Sequence, residues 1–172
     1  LLPEAHVVPS VESLLQTAIE RGLDPAGLEK LVELSERVAA KRAEREFFAA
    51  LHAFQAECPT IRNTKQVYSK PDKEGGLRYT FAPLPQVVRT IRPYLEKHGL
   101  SYSFDSPKLP EKDYIFVEVT LSDLAGHHII KRFPVQIDRK AYMNEPQKVK
   151  SATSFGMRTA LIMALGLVTD NE

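Results

Sequence analysis

The hydrophobic pattern of this chain changes period at Pro59, and that change decides its fold class. Before it, Leu28, Leu31, Val32, Val38, Phe47, Leu51 and Phe54 recur at helical spacing with charges between them, which predicts one long helix ending near Glu57. Asp24 supplies its cap and Pro25 its first position, while Pro59 blocks continuation. A shorter helix precedes it, with Ser10 as N-cap and Gly22 as its end. The charged stretch Glu36 to Glu46 is read as a solvated face, with a subunit contact as the alternative.

After Pro59 the period is two. Thr60–Ser69 and Leu77–Phe81 flank a turn rich in Pro, Asp and Gly at 71–76, which predicts a β-hairpin. Leu77, Tyr79 and Phe81 share one face of it, so Tyr79 is expected in the core, with Arg78 and Thr80 opposite. A helix follows from about Pro85 to His98, ended by Gly99, with Val87, Val88, Ile91 and Leu95 inward and Arg89 and Arg92 off that face. Leu100–Asp105 reads as a strand, and Ile115, Val117, Val119 and Leu121 alternate through another. The turn Asp123–Gly126 then returns the chain into His127–Ile137. A last helix spans Gln147–Leu167. The order α-α-β-β-α-β-β-β-α predicts an α+β fold with a largely antiparallel sheet covered by helices. Within one domain, residues 1–58 form a helical region packed on the core or between subunits, and residues 59–172 form the core.

Charge divides the chain in the same place. A formal net charge of +1 conceals six Lys/Arg against ten Asp/Glu in residues 1–58, and 17 against 12 in residues 59–172. Between 59 and 100, eight cations (Arg62, Lys65, Lys70, Lys73, Arg78, Arg89, Arg92 and Lys97) face only Asp72, Glu74 and Glu96. Such asymmetry points to a polyanionic partner.

The last helix carries the sharpest candidate site. Its first half holds Lys148, Lys150, Ser151, Ser154 and Arg158, whereas Ala160–Leu167 is nearly all apolar and is expected to be buried. Lys150, Ser154 and Arg158 fall at i, i+4 and i+8, so two cations and a hydroxyl share a face able to meet phosphates. The bland alternative is an amphipathic helix with a solvated side. Along the first hairpin, Arg62, Lys65, Lys70 and Arg78 could grip phosphates, and Tyr68 either stacks on a base or does not. Arg132 is preferred to Lys131 as a groove residue, because Lys131 shares its face with Ile129 and Phe133.

Other chemistries find little support. A metal-dependent nuclease would have to use Asp123, His127, His128 and Glu118, but adjacent strand residues diverge and no zinc-type spacing accompanies them. No GxxxxGK[ST] loop is present, so no nucleotide cofactor is expected. The single cysteine, Cys58, cannot form an internal disulfide. With no signal peptide or apolar run of membrane-spanning length, a cytoplasmic location without membrane contact is expected. The chain starts at Leu and ends just after its last helix, and is read as a fragment or processed chain whose C-terminal tail is absent.

Four segments in order resemble the ERF (essential recombination function) family of phage single-strand annealing proteins. FAALHAFQAECP at 48–59 resembles that family's "F…L..FQ…P" helix end, and YTFAPLPQVVRTIRPYLEKHGL at 79–100 its "Y…L..v…I.P.L..hGL" signature. The long β-hairpin comes next, and residues 151–166 are similar to the "SA.TY..RY.L…lG" motif through Ser151, Ala152, Phe155, Arg158, Leu161 and Gly166. Phe155 stands where a tyrosine is usual, and Thr159 where a second aromatic is common. The run Gly156–Leu161 also looks like the end helix of the eukaryotic annealing proteins, whose basic residues line a DNA groove. The resemblance implies a sheet-plus-helix core, rings or filaments of identical subunits in the bacterial host cytoplasm, and pairing of complementary single strands without ATP or enzymatic turnover. It makes Lys148, Lys150 and Arg158 the leading DNA contacts. It also leaves room for a host or phage single-strand binding protein or an exonuclease as a partner, and a ring-forming interaction module without nucleic acid is the remaining alternative.

Overall fold

The structure, a computed structural model, describes residues 11–68, 76–107 and 113–170. Their elements are α1 (Val11–Glu20), α2 (Pro25–Glu57), β1 (Lys65–Tyr68), β2 (Leu77–Phe81), α3 (Leu84–Lys97), β3 (Leu100–Asp105), β4 (Tyr114–Asp123), β5 (His128–Gln136) and α4 (Glu145–Leu165). The predicted order and the α+β class are both present. Ser10, Ser69, Lys70, Lys73 and most of the predicted hairpin turn lie outside the described residues. The strands do not join into one sheet: β1 and β2 make a two-stranded antiparallel sheet, and β3-β4-β5 a separate three-stranded one. The first strand is also shorter than its apolar pattern, because Ile61 instead bridges in parallel to Thr169 beyond α4. Among the described residues no helix is long and apolar enough to cross a membrane.

The chain divides into two compact units, Leu1–Arg45 and Glu46–Glu172. In the first, Asp24 caps α2 as expected, its Oδ1 accepting from the Gly27 amide at 2.9 Å. None of its described residues is buried, so Val32 and Val38, two of the apolar positions at helical spacing, are exposed. Helical spacing shows that a stripe exists without showing what covers it.

In the second unit the core gathers Phe47, Phe54, Ile61, Val87, Ile91, Val117, Val119, Leu121, Leu161 and Leu165, all essentially inaccessible. Each contributes about 1.5–3 kcal/mol by leaving water. Antiparallel pairing sets Val117, Val119 and Leu121 of β4 toward this core, while Glu118 and Thr120 share the opposite face. α4 crosses over β4 and β5, and Gly156 makes the closest approach: a methyl group there would stand 2.7 Å from Cγ2 of both Val117 and Val135. The helix begins two residues earlier than predicted because Asn144 forms a capping box. The Gln147 amide donates to Asn144 Oδ1 (3.0 Å), and the Asn144 amide donates to Gln147 Oε1 (3.3 Å). It ends at left-handed Gly166 (φ 64°), where the Gln55 amide also donates to the Leu165 carbonyl. α3 continues through Pro93, which lacks the amide proton needed for its own helical bond.

One ion cluster ties the ends of α2 and α3 together. Glu57 Oε2 lies 2.6 Å from Lys97 Nζ and 3.1 Å from His98 Nε2. The hydrogen bond from Lys97, then that from His98, holds the Glu57 carboxyl below its ordinary value. A depressed folded-state value means the stabilisation is present above the unfolded carboxyl's pKa and is lost as pH falls through the folded one. Melting temperatures of wild type and Glu57→Gln should therefore differ near neutrality and converge in acid; a constant offset across pH would remove the ion cluster as the cause.

Candidate nucleic-acid interface

The site is assembled where the first hairpin meets the exposed side of α4. In the β1–β2 ladder Lys65 pairs with Phe81 and Val67 with Tyr79, so these four side chains share a face. The register slips between Val67 and Tyr68. Tyr79 and Leu77 are about half exposed, which corrects the expectation that Tyr79 packs in the core. Its ring instead lies against Phe81 (centroids 6.2 Å apart) at the rim of a cleft. Among the described residues no second layer covers this end of the two-stranded sheet, so alternation there reports a shared face without burial.

Across the cleft stands Arg158. Its guanidinium carbon sits 4.5 Å from the Phe81 ring centroid and 5.2 Å from that of Phe155, within cation–π range of both. Burial lowers its pKa from the ordinary guanidinium value, opposed by Tyr79, and the group stays charged at neutral pH. Among the described residues no carboxylate pairs with it. A half-buried cation on an aromatic bed, without a carboxylate partner among the described residues, can receive an external anion.

This cleft, about 520 Å³, is lined by Asn63, Tyr79, Phe81, Arg158, Thr159 and Ile162 among others. A second, about 390 Å³, lies between β5 and the first half of α4, bounded by Phe133, Val135, Lys148 and Ser151, and Phe155 lines both. Ala141 and Met143 in turn line that second cleft and a third of about 360 Å³ at the start of α4. The three form one tract along α4. A 21-residue helix is about 30 Å long, room for roughly nine nucleotides at the ~3.4 Å spacing of a stacked strand.

The predicted residues are placed unevenly along this tract. Lys150 and Ser154 are exposed on α4 but are not among the residues that line the three clefts, whereas half-buried Arg158, a turn beyond Ser154, does line one. Lys148 is held inward, its side chain only 12% exposed and its Nζ 3.0 Å from both Glu145 Oε1 and the Arg139 carbonyl. Arg132 lies directly across from Glu118 in the β4–β5 ladder and forms an ion pair with it, Nε to Oε2 being 2.6 Å. Arg62, Lys65 and Arg78 are exposed and carry no ion pair among the described residues. Tyr68 is exposed, its hydroxyl donating to Gln66 Oε1 at 2.6 Å.

The apolar second half of α4 is only partly buried. Ala160, Leu161, Ala164 and Leu165 face the core, but Met163 is 65% exposed beside the first cleft. Sequence reasoning missed Phe81, Met143 and Met163 as lining residues, because apolar character alone does not separate a core from a groove. Three residues of the nuclease alternative have other partners. Asp123 Oδ1 accepts from the His127 amide, and the His127 ring packs 5.2 Å from that of Phe47, while Glu118 is paired with Arg132. Among the described residues no group of three or more His, Cys, Asp or Glu side chains is placed to hold a metal ion.

Residues 47–172 match the ERF superfamily, so the match begins at the start of the second unit and covers the whole tract. No curated protein and no solved structure is detectably similar to the chain.

Proposed function

Because the chain belongs to the ERF superfamily, whose members are single-strand annealing proteins of DNA recombination, we propose that it binds single-stranded DNA along α4 and pairs it with a complementary strand without nucleotide hydrolysis. The observation that carries this reading is Arg158, a cation without a carboxylate partner among the described residues, set over Phe81 and Phe155 in the middle of the tract. Arg158 takes a phosphate inside the tract, Lys150 and the Ser154 hydroxyl take phosphates on the exposed side of α4 next to it, and Lys65 and Arg62 extend the basic path along the hairpin, with Arg78 on the hairpin's other face. Lys148 and Arg132 are secondary contacts, since each must first share its charge with a carboxylate. Tyr68, Tyr79 and Phe155 offer faces on which bases can stack. The same proposal gives the fold a common plan with the eukaryotic annealing proteins, α4 taking the part of their basic end helix.

Assembly into a ring or filament belongs to the reading. The first unit exposes Leu14, Ile19, Leu23, Val32, Leu34 and Val38, more apolar surface than a lone helical unit gains by leaving in water. A second copy is the occupant we favour, with single-strand binding proteins or exonucleases as further partners in a bacterial cytoplasm.

The test is a binding and annealing assay at two salt concentrations, without ATP or divalent metal. Single strands should bind more tightly than duplex, affinity should fall steeply with salt, and complementary oligonucleotides should pair faster than they do alone. Salt-independent binding, or annealing that needs ATP, would sink the reading.

A further inference from the structure

The loop that leads into α4 carries one aromatic side chain with no packing role. Tyr142 is 103% exposed, more open than any other large apolar or aromatic residue among those described. Its loop is nonetheless firmly held. The Lys140 amide donates to Asp138 Oδ1 (2.9 Å), and the Met143 amide to the Ala141 carbonyl (2.8 Å). Arg139 pairs with Asp113 at 2.9 Å and also with Glu145, while Lys148 Nζ holds the Arg139 carbonyl. On the far side the Asn144 capping box fixes the first turn of α4. Ion pairs and caps on both flanks therefore present a single bare ring on a stiff mount. An exposed aromatic ring is costly in solubility terms, and stiffening its base makes sense where the ring meets a flat apolar partner.

The position of the ring identifies that partner. Ala141 and Met143, its two neighbours, line the tract on one side, and Tyr142 borders the cleft that ends it. Resting on the single-strand binding reading above, we propose that Tyr142 is a base-stacking post at the end of the α4 tract. It takes the π-face of one unpaired base as the strand leaves the groove. Stacking occupies the face of a base and not its hydrogen-bonding edge, so a base held in this way stays open to a complementary strand while it is kept from collapsing onto its neighbour. The post thus serves pairing, and the cations along α4 serve retention.

The experiment compares wild type, Tyr142→Ala and Tyr142→Phe on an oligothymidine strand carrying one fluorescent adenine analogue, whose emission reports stacking. Moving the analogue along the strand should reveal one position whose signal changes on binding. Tyr142→Ala should abolish that change and weaken binding by about tenfold, with the salt slope unaltered because no phosphate contact is lost. Tyr142→Phe should keep both. The assembly size of the DNA-free protein, measured by light scattering, should be the same for all three. Wild-type affinity and fluorescence in Tyr142→Ala would overturn the proposal, as would a smaller assembly, which would make Tyr142 a subunit contact. If Arg158→Ala loses binding while Tyr142→Ala does not, only the post is refuted; if the wild-type protein fails to bind the strand, both readings fall.

Discussion

Replacing Arg158 by alanine is expected to weaken single-stranded DNA binding by roughly ten- to a hundredfold, the effect of losing about 1.5–3 kcal/mol of charged hydrogen bonding. The loss should be the same for every sequence, since a phosphate contact carries no base information. The salt slope should fall by about 0.7, the share of one phosphate on a single strand. The fold should survive. Removing the guanidinium forfeits its contacts with Phe81 and Phe155, worth about 0.5–2 kcal/mol, but also removes a partly desolvated charge that has no carboxylate partner among the described residues, and the two effects oppose one another. Arg158→Lys should recover only part of the affinity, because an ammonium keeps the charge but neither forks to phosphate nor stacks flat on a ring. Affinity, salt slope and melting temperature measured together decide the matter: a large drop in melting temperature with an unchanged slope would reassign Arg158 to the core.

Gly156→Val is expected to cost about 3–5 kcal/mol and to lower the melting temperature of the second unit by about 6–20 °C, at roughly 2–4 °C per kcal/mol. Gly156→Ala decides which of two effects wins. Helix propensity alone would favour alanine by about 1 kcal/mol. Against it, the added methyl would stand 2.7 Å from the γ-methyls of both Val117 and Val135. Valine on a strand has few alternative rotamers, and Val117 and Val135 are both buried, so they have little room to yield. Overpacking of this kind costs about 1–3 kcal/mol, so the net change for alanine should be destabilising by up to about 2 kcal/mol. Thermal unfolding followed by circular dichroism gives the sign directly. A melting temperature raised by alanine would mean that α4 does not approach the sheet so closely.

Much of the fold was legible because it is written in local patterns. Helix α3 and strands β3 to β5 follow from apolar periods and glycine or proline stops, and each begins or ends within about two residues of its expectation. The match of residues 47–172 to the ERF superfamily agrees with the segments that suggested the family. The site was legible only in part. Spacing put Lys150, Ser154 and Arg158 within reach of one another, and Lys150 and Ser154 are exposed, but only Arg158 lines a cleft. That Lys148 turns inward to Glu145, or that Arg132 is neutralised by Glu118 across the ladder, depends on partners brought near by folding. Tyr79 and Met163 were assigned to the core because period and hydropathy do not reveal whether a second layer covers a face.

By itself, then, the sequence determined which segments coil and which extend, and where each stops. Those properties arise from backbone sterics and from residues within a turn or two of each other. Tertiary structure alone decided that the strands divide into two sheets, that Gly156 is a point of contact between α4 and the sheet, and that Arg158 meets Phe81 above an open cleft. Phe81 and Arg158 are distant along the chain, and their meeting is set by how the hairpin and α4 pack together, which no local pattern encodes.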